Sequence, residues 1–203
     1  MQSKDLSGIN IEGHIKIHNP ESGEVFVNKR NAIHYENMSI ALAESIANIG
    51  QGFIYEMVFG NGGTTIDPTG IITYLTPNST GANASLYYET YSKVVDDRSV
   101  TNLDPIRNKI ETRHVTGTNY TDVFVTCLLD YGEPSGQEAF DNTTDNSSDF
   151  VFDELGLRAY SSSGTGRLLT HVIFHPVQKS LNRLIQIDYT VRIQSLTGLN
   201  EVA

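Results

Sequence analysis

The chain has 203 residues, enough for one domain with a sizeable core, and at 38% hydrophobic and 19% charged it is neither a disordered tail nor a membrane bundle. Its 14 basic residues against 24 acidic ones leave a net charge of −10. That balance argues against the dense cationic face that duplex nucleic acid requires, and against adhesion to an anionic membrane surface. One cysteine, Cys127, excludes an intrachain disulfide framework and any multi-cysteine zinc site.

The opening residues Met1 to Gly8 carry no apolar core of a signal peptide, and no run approaches the roughly 20 apolar residues of a membrane span. Six glycosylation triplets begin at Asn37, Asn78, Asn83, Asn119, Asn142 and Asn146. In a chain rich in Asn, Ser and Thr such triplets arise by chance, so the expectation is a protein made in a cytosol and used unmodified.

The first predicted element is a hairpin over 13–27. Ile15 and Ile17 alternate with His14, Lys16 and His18, Asn19 to Gly23 supply the turn, and Val25 and Val27 resume the alternation. His14 and His18 then share the outer face as solvated side chains. The spacing of Met38, Ala41, Leu42, Ile46 and Ile49 predicts a helix over about 37–49, with Asn37 as N-cap, Gly50 as stop and the apolar stripe in the core.

A buried strand is expected at 53–59, ending in Gly60-Asn61-Gly62-Gly63. This cluster lacks both the GxxxxGK[ST] and the GxGxxG spacing, so it reads as a sharp exit from the strand and not as a phosphate cradle. Residues 60–86 then form a long polar arm. Strands are predicted at 91–95, 108–114 and 122–129, with Cys127 as a small buried hydrophobe in the last. A second polar arm covers 132–149; its Asp141, Asp145 and Asp149 lack the ligand pattern of an EF-hand loop.

The last quarter reads as β-structure: Phe150 to Leu157, a turn at Ser161 to Gly166, Leu168 to Phe174 closed by His175-Pro176, and a final strand. In that strand Ile185, Ile187, Tyr189, Val191 and Ile193 face one way, and Gln186, Asp188, Thr190, Arg192 and Gln194 the other. Among candidates for chemistry, His171 and His175 lie four apart on a strand, where that spacing does not converge. Asp153 and Glu154 could form an acid pair, but adjacent strand residues point to opposite faces, so they do not share a substrate atom. No GxSxG elbow is present. No catalytic, cofactor-binding or metal-binding residue is assigned, and no cofactor is expected.

Taken in order, Asn31-Ala32-Ile33, the helix, Phe59 to Gly63, Tyr91 to Val95, Phe152-Asp153-Glu154-Leu155-Gly156-Leu157, Leu168 to Val177 with Lys179, and Ile185 to Val191 resemble structural proteins of tailed-bacteriophage virions, particularly of T4-like marine phages. The layout over residues 25–195 is similar to the amino-terminal attachment domain of phage tail-collar fibre proteins, with its E-x-GL, F-x-P-x-x-K and I-x-Y/W series. The motifs are individually loose and their order carries the likeness. Fibre proteins continue into a shaft and tip, whereas this chain stops at Ala203, so the resemblance implies a docking module. In it Glu154 and Gly156 look like a structural turn or strand-edge signature.

The expectation is therefore a single, mainly β domain over 1–203, an antiparallel sandwich with one helix, flexible tails at 1–10 and 197–203, and interaction arms at 60–86 and 132–149. The resemblance implies a virion component, an adaptor or collar protein at tail, neck or baseplate, made in the host cytoplasm. Its partners would be other virion proteins and further copies of itself. A capsid decoration protein is the alternative in the same class. A carbohydrate-binding module using Tyr74, Tyr87, Tyr88 and Tyr91 is the alternative in another.

Overall fold

A computed structural model describes residues 8–81, 84–137 and 149–196. The elements in chain order are β1 (Gly8–His18), β2 (Val25–Ile33), α1 (Tyr35–Ile46), β3 (Ile54–Gly60), β4 (Thr64–Ile66), β5 (Ile72–Tyr74), β6 (Glu89–Val94), β7 (Lys109–His114), β8 (Tyr120–Leu129), β9 (Val151–Ala159), β10 (Thr170–Gln178) and β11 (Ile185–Leu196). Nine strands follow the order β6-β3-β9-β10-β2-β1-β11-β8-β7, and β4 pairs with β5 in a separate hairpin. Every pairing is antiparallel.

Between β10 and β2 the ladder shrinks to two rungs, Thr170 opposite Ile33 and His171 opposite Ala32. The sheet bends there into a five-stranded and a four-stranded half that share one core. Ile15, Ile17, Val125, Cys127, Ile187 and Tyr189 from the first half meet Met57, Phe59, Leu155, Leu157, Val172 and Phe174 from the second. This is the expected antiparallel sandwich, built from a single curled sheet. At the far side the halves are tied by Lys93 Nζ, which donates to the Leu128 carbonyl at 2.7 Å and also pairs with Glu133.

The alternation read in β11 is present: Ile185, Ile187, Tyr189 and Val191 are buried, with half-exposed polar residues between them. The first hairpin is longer than 13–27. Its strand begins at Gly8, which removes residues 8–10 from the expected tail, and Asn19 Oδ1 shapes the turn by accepting from the Glu21 and Ser22 backbone N–H groups. Residues 197–203 and 138–148, including Asp141 and Asp145, lie outside the described residues.

Helix α1 departs from expectation at both ends. Its N-cap is His34, whose Nδ1 accepts from the Asn37 N–H at 3.2 Å, an acceptor role usually filled by Asn, Asp, Ser or Thr. Asn37 lies inside the helix, fully buried, with its amide donating to the Leu168 carbonyl at 2.9 Å. At the other end Ile46 is 84% and Ile49 57% exposed, so only Met38 and Ala41 of the stripe are buried. The helix stops at Ile46, and its last turn overhangs the core. Among the described residues no helix is long and apolar enough to cross a membrane.

Two substitutions separate core from overhang. Ile187→Ala should cost about 2–5 kcal/mol in urea unfolding, whereas Ile46→Ala should stay within about 0.5 kcal/mol.

Candidate functional site: a buried carboxylate pair under the 60–88 arm

Strand β9 runs between β3 and β10, and all nine of its residues are buried. Phe152 and Leu155 both enter the core although they lie three apart, which a regular two-residue alternation forbids. The partner strand explains it. Opposite Phe152 to Glu154 the β10 register jumps from Ile173 to Val177, a bulge containing Phe174, His175 and Pro176. His175-Pro176 therefore kinks β10, which continues to Gln178, and does not close it. Asp153 and Glu154, between the two inward residues, both turn to the outer face and to the same loop. The expectation that they point apart is corrected by this bulge.

The loop is the start of the 60–86 arm, which folds back across the four-stranded half. Asp153 accepts from the backbone N–H of Gly63 at 2.9 Å and of Thr64 at 2.7 Å, and from the Thr64 hydroxyl. Glu154 Oε1 accepts from the N–H groups of Gly62 at 3.2 Å and Tyr88 at 2.8 Å, and Oε2 from Tyr87 N–H at 3.0 Å. The glycines serve this close approach. A Cβ at Gly60 would lie 2.4 Å from the Tyr88 carbonyl oxygen, and one at Gly63 2.9 Å from the Ile173 side chain.

The fourth donor to Glu154 is His171, with Nε2 2.8 Å from Oε2 and both side chains fully buried. The Asn78 N–H donates to His171 Nδ1 at 2.8 Å, which makes Nδ1 the acceptor and assigns the proton to Nε2. The contact is therefore a hydrogen bond from a neutral imidazole to a carboxylate, and the Tyr87 ring lies 5.7 Å from the imidazole. Burial pushes the Glu154 carboxyl up, but the donations from His171, Tyr88 and Tyr87 outweigh it and hold the group below the usual range. Burial dominates at Asp153, which stays above its ordinary value despite Thr64 and Gly63.

A carboxylate offers about four lone-pair positions, and all four of Glu154's are taken by protein donors. What the arrangement does chemically is fasten a loop; it leaves Glu154 no lone pair for a substrate proton. The arm is held elsewhere too. Leu86 packs on Val58 and Leu168, and His34 Nε2 lies 2.9 Å from the Gly81 carbonyl. The described residues of the 60–86 arm fold back as a strap carrying the β4–β5 hairpin.

No family model, curated protein or solved structure is significantly similar to the chain.

The remaining candidates are scattered. His14 is exposed, while His18 is not solvated but hydrogen-bonds Asp188 at 2.9 Å. His175 is exposed beside the Tyr74 hydroxyl, separate from His171. Cys127 is fully buried, and burial pushes its thiol up to about 12, far from a nucleophile's range. Tyr74, Tyr87 and Tyr88 are exposed, but Tyr91 packs on Phe59. Among the described residues no group of three His, Cys, Asp or Glu is placed to hold a metal ion.

The burial and partners of two cations escape sequence reading, although Lys179 belongs to the series that carries the resemblance. Arg158 donates to Glu56 at 2.7 Å and bidentately to Glu89 at 2.9 and 2.7 Å, tying β9, β3 and β6 together. Lys179 donates to Gln137 Oε1 at 3.0 Å and to the Tyr131 carbonyl at 3.3 Å, anchoring the base of the second arm. Arg158 sits between Leu157 and Ala159 and Lys179 between Gln178 and Ser180, and neither setting signals a buried cation.

Glu154→Gln replaces an acceptor by a donor facing backbone N–H groups and should cost about 3 kcal/mol at neutral pH by urea unfolding. Because the folded-state value of Glu154 is depressed, its stabilisation is present above the ordinary carboxylate range and lost as pH falls through the folded value. The gap between parent and variant should therefore hold from pH 7 to about 5 and begin to narrow once pH falls below the ordinary glutamate value of about 4.3. A constant gap down to about pH 3 would mean that Glu154 is not the titrating group.

Proposed function

We propose that the chain is a structural component of a tailed-bacteriophage virion, an adaptor or collar protein at tail, neck or baseplate that binds other virion proteins and copies of itself. The observation that carries an assembly role is the segment between β6 and β7. There Val100 is 97%, Leu103 96% and Ile106 81% exposed. Isolated exposed aliphatics are ordinary, but three on one ordered connection make an apolar display.

That connection is held in shape. The Asn102 amide donates to the carbonyls of Asp96 at 3.2 Å and Asn108 at 2.9 Å, Asn108 donates back to the Asp104 carbonyl at 3.0 Å, and the Tyr55 and Thr101 hydroxyls meet at 2.8 Å. A loop with such a frame loses little conformational freedom on docking, so its apolar area counts toward affinity. The layout resemblance to virion proteins supplies the setting, and the saturated Glu154 is consistent with a role in architecture.

Glycan binding is the second reading, favoured by the exposed rings of Tyr74, Tyr87 and Tyr88 on the folded strap. Binding on a glycan array, abolished by Tyr88→Ala, would replace the assembly reading; silence from folded protein would remove the glycan one.

Immunogold labelling of purified particles of the phage that carries the gene tests the proposal. Label at tail, neck or baseplate is expected, label over the head makes the chain a decoration protein, and unlabelled particles overturn the virion reading.

A further inference from the structure

Strand β7 ends the five-stranded half-sheet, and among the described residues no strand pairs with its outer edge. An open edge is a row of backbone donors and acceptors at β-pairing spacing, and a partner strand satisfies it. β7 reads Lys109-Ile110-Glu111-Thr112-Arg113-His114, with Leu103 and Ile106 exposed just before it and Val115 exposed just after it. Lys109, Glu111 and Arg113 share the solvent face. There Glu111 lies 3.5 Å from both Lys109 Nζ and Arg113 Nη2, and the Arg113 guanidinium sits 4.6 Å above the Phe124 ring.

We propose that the outer edge of β7 pairs antiparallel with β7 of a second copy of this chain, joining two five-stranded halves into one continuous sheet about a two-fold axis. The charge order favours a second copy as occupant and the Thr112-centred register: centring on Ile110 would also pair Lys109 with Glu111, but it sets Arg107 against Arg113. With Thr112 opposite Thr112 of the second copy, Glu111 of each copy faces Arg113 of the other, and Lys109 faces Val115. Moving the axis to Glu111 sets Glu111 against Glu111 and Lys109 against Arg113, a like-charge arrangement on both counts. Each Glu111 can take a further base, since its two intrachain contacts, to Lys109 and Arg113, are both long at 3.5 Å.

The flanks fit the same symmetry. Antiparallel pairing carries the residues before β7 in one copy toward those after β7 in the other. Leu103 and Ile106 therefore approach the Val115 end of the second copy, twice over in a two-fold contact. The pairing covers aliphatic side chains that free solvent penalises, and on its solvent face it sets two Glu111–Arg113 pairs across the seam although each copy carries −10.

This deepens the assembly reading by naming one self-contact and rests on that reading for its purpose, but its readout is separate. Sedimentation velocity of the purified full chain should show a monomer–dimer equilibrium across the micromolar range. Glu111→Arg should weaken it by roughly tenfold or more, and the Glu111→Arg/Arg113→Glu swap should restore it, because the swap re-creates the opposed pair. Circular dichroism and the unfolding midpoint confirm that each variant is folded. A chain monomeric throughout that range overturns the proposal, as does a dimer indifferent to Glu111→Arg or one the swap fails to rescue. A dimer from a protein that labels no particle would remove the virion reading and leave this contact standing.

Discussion

A carboxylate shut away from water must find its hydrogen-bond donors inside the protein, and Glu154 finds one on a histidine and three on the backbone of a segment distant in sequence. Charged groups are tolerated in an interior only with such compensation. The dependence runs both ways. Without the strap, β9 would bury an uncompensated charge; without Glu154, the N–H groups of Gly62, Tyr87 and Tyr88 would lose their acceptor. Gly60 and Gly62 let the strap approach Glu154, the Gly63 N–H serves Asp153 beside it, and the β10 bulge turns the two carboxylates to the same side.

The parts of the fold that a single strand can encode were legible in the sequence. β11 announces itself by alternation because one of its faces is core and the other is not, and the buried strand expected at 53–59 is β3, where Met57, Val58 and Phe59 are buried. The site was harder. Asp153 and Glu154 stood out as adjacent acids, but the parity switch that turns them together is produced by Phe174-His175-Pro176 on another strand. Likewise Asn37 has the composition of a cap, and His34 takes the position because its ring reaches both the helix start and Gly81. Contacts such as His34 with Gly81, 47 residues apart, and Gly62 with Glu154, 92 apart, leave no trace in local periodicity.

The residues that carry the resemblance have structural work, and on a central strand in place of the expected turn or edge. Glu154 fastens the strap, a Cβ at Gly156 would come within 2.2 Å of the Thr170 carbonyl oxygen, and Leu157 is core. In the later series Phe174 is core, Pro176 lies in the bulge and Lys179 holds the segment beyond β8. These positions define how the sandwich is closed, whereas the outward-facing residues around β7 are free to suit a particular neighbour.

The two-rung seam between β10 and β2 has a mechanical meaning. It is the shortest of the ladders described, and the His34 N–H on the Leu169 carbonyl at 2.9 Å and Lys29 Nζ on the Ile173 carbonyl at 2.8 Å extend it. A load that separates the halves is shared between this narrow seam, the interdigitated side chains and the Lys93 tie on the opposite side. Hydrophobic contacts yield over short distances and re-form without a partner having to be found again. A sandwich joined in this way flexes like a book with a narrow spine, opening by small amounts under tension while each cover stays rigid.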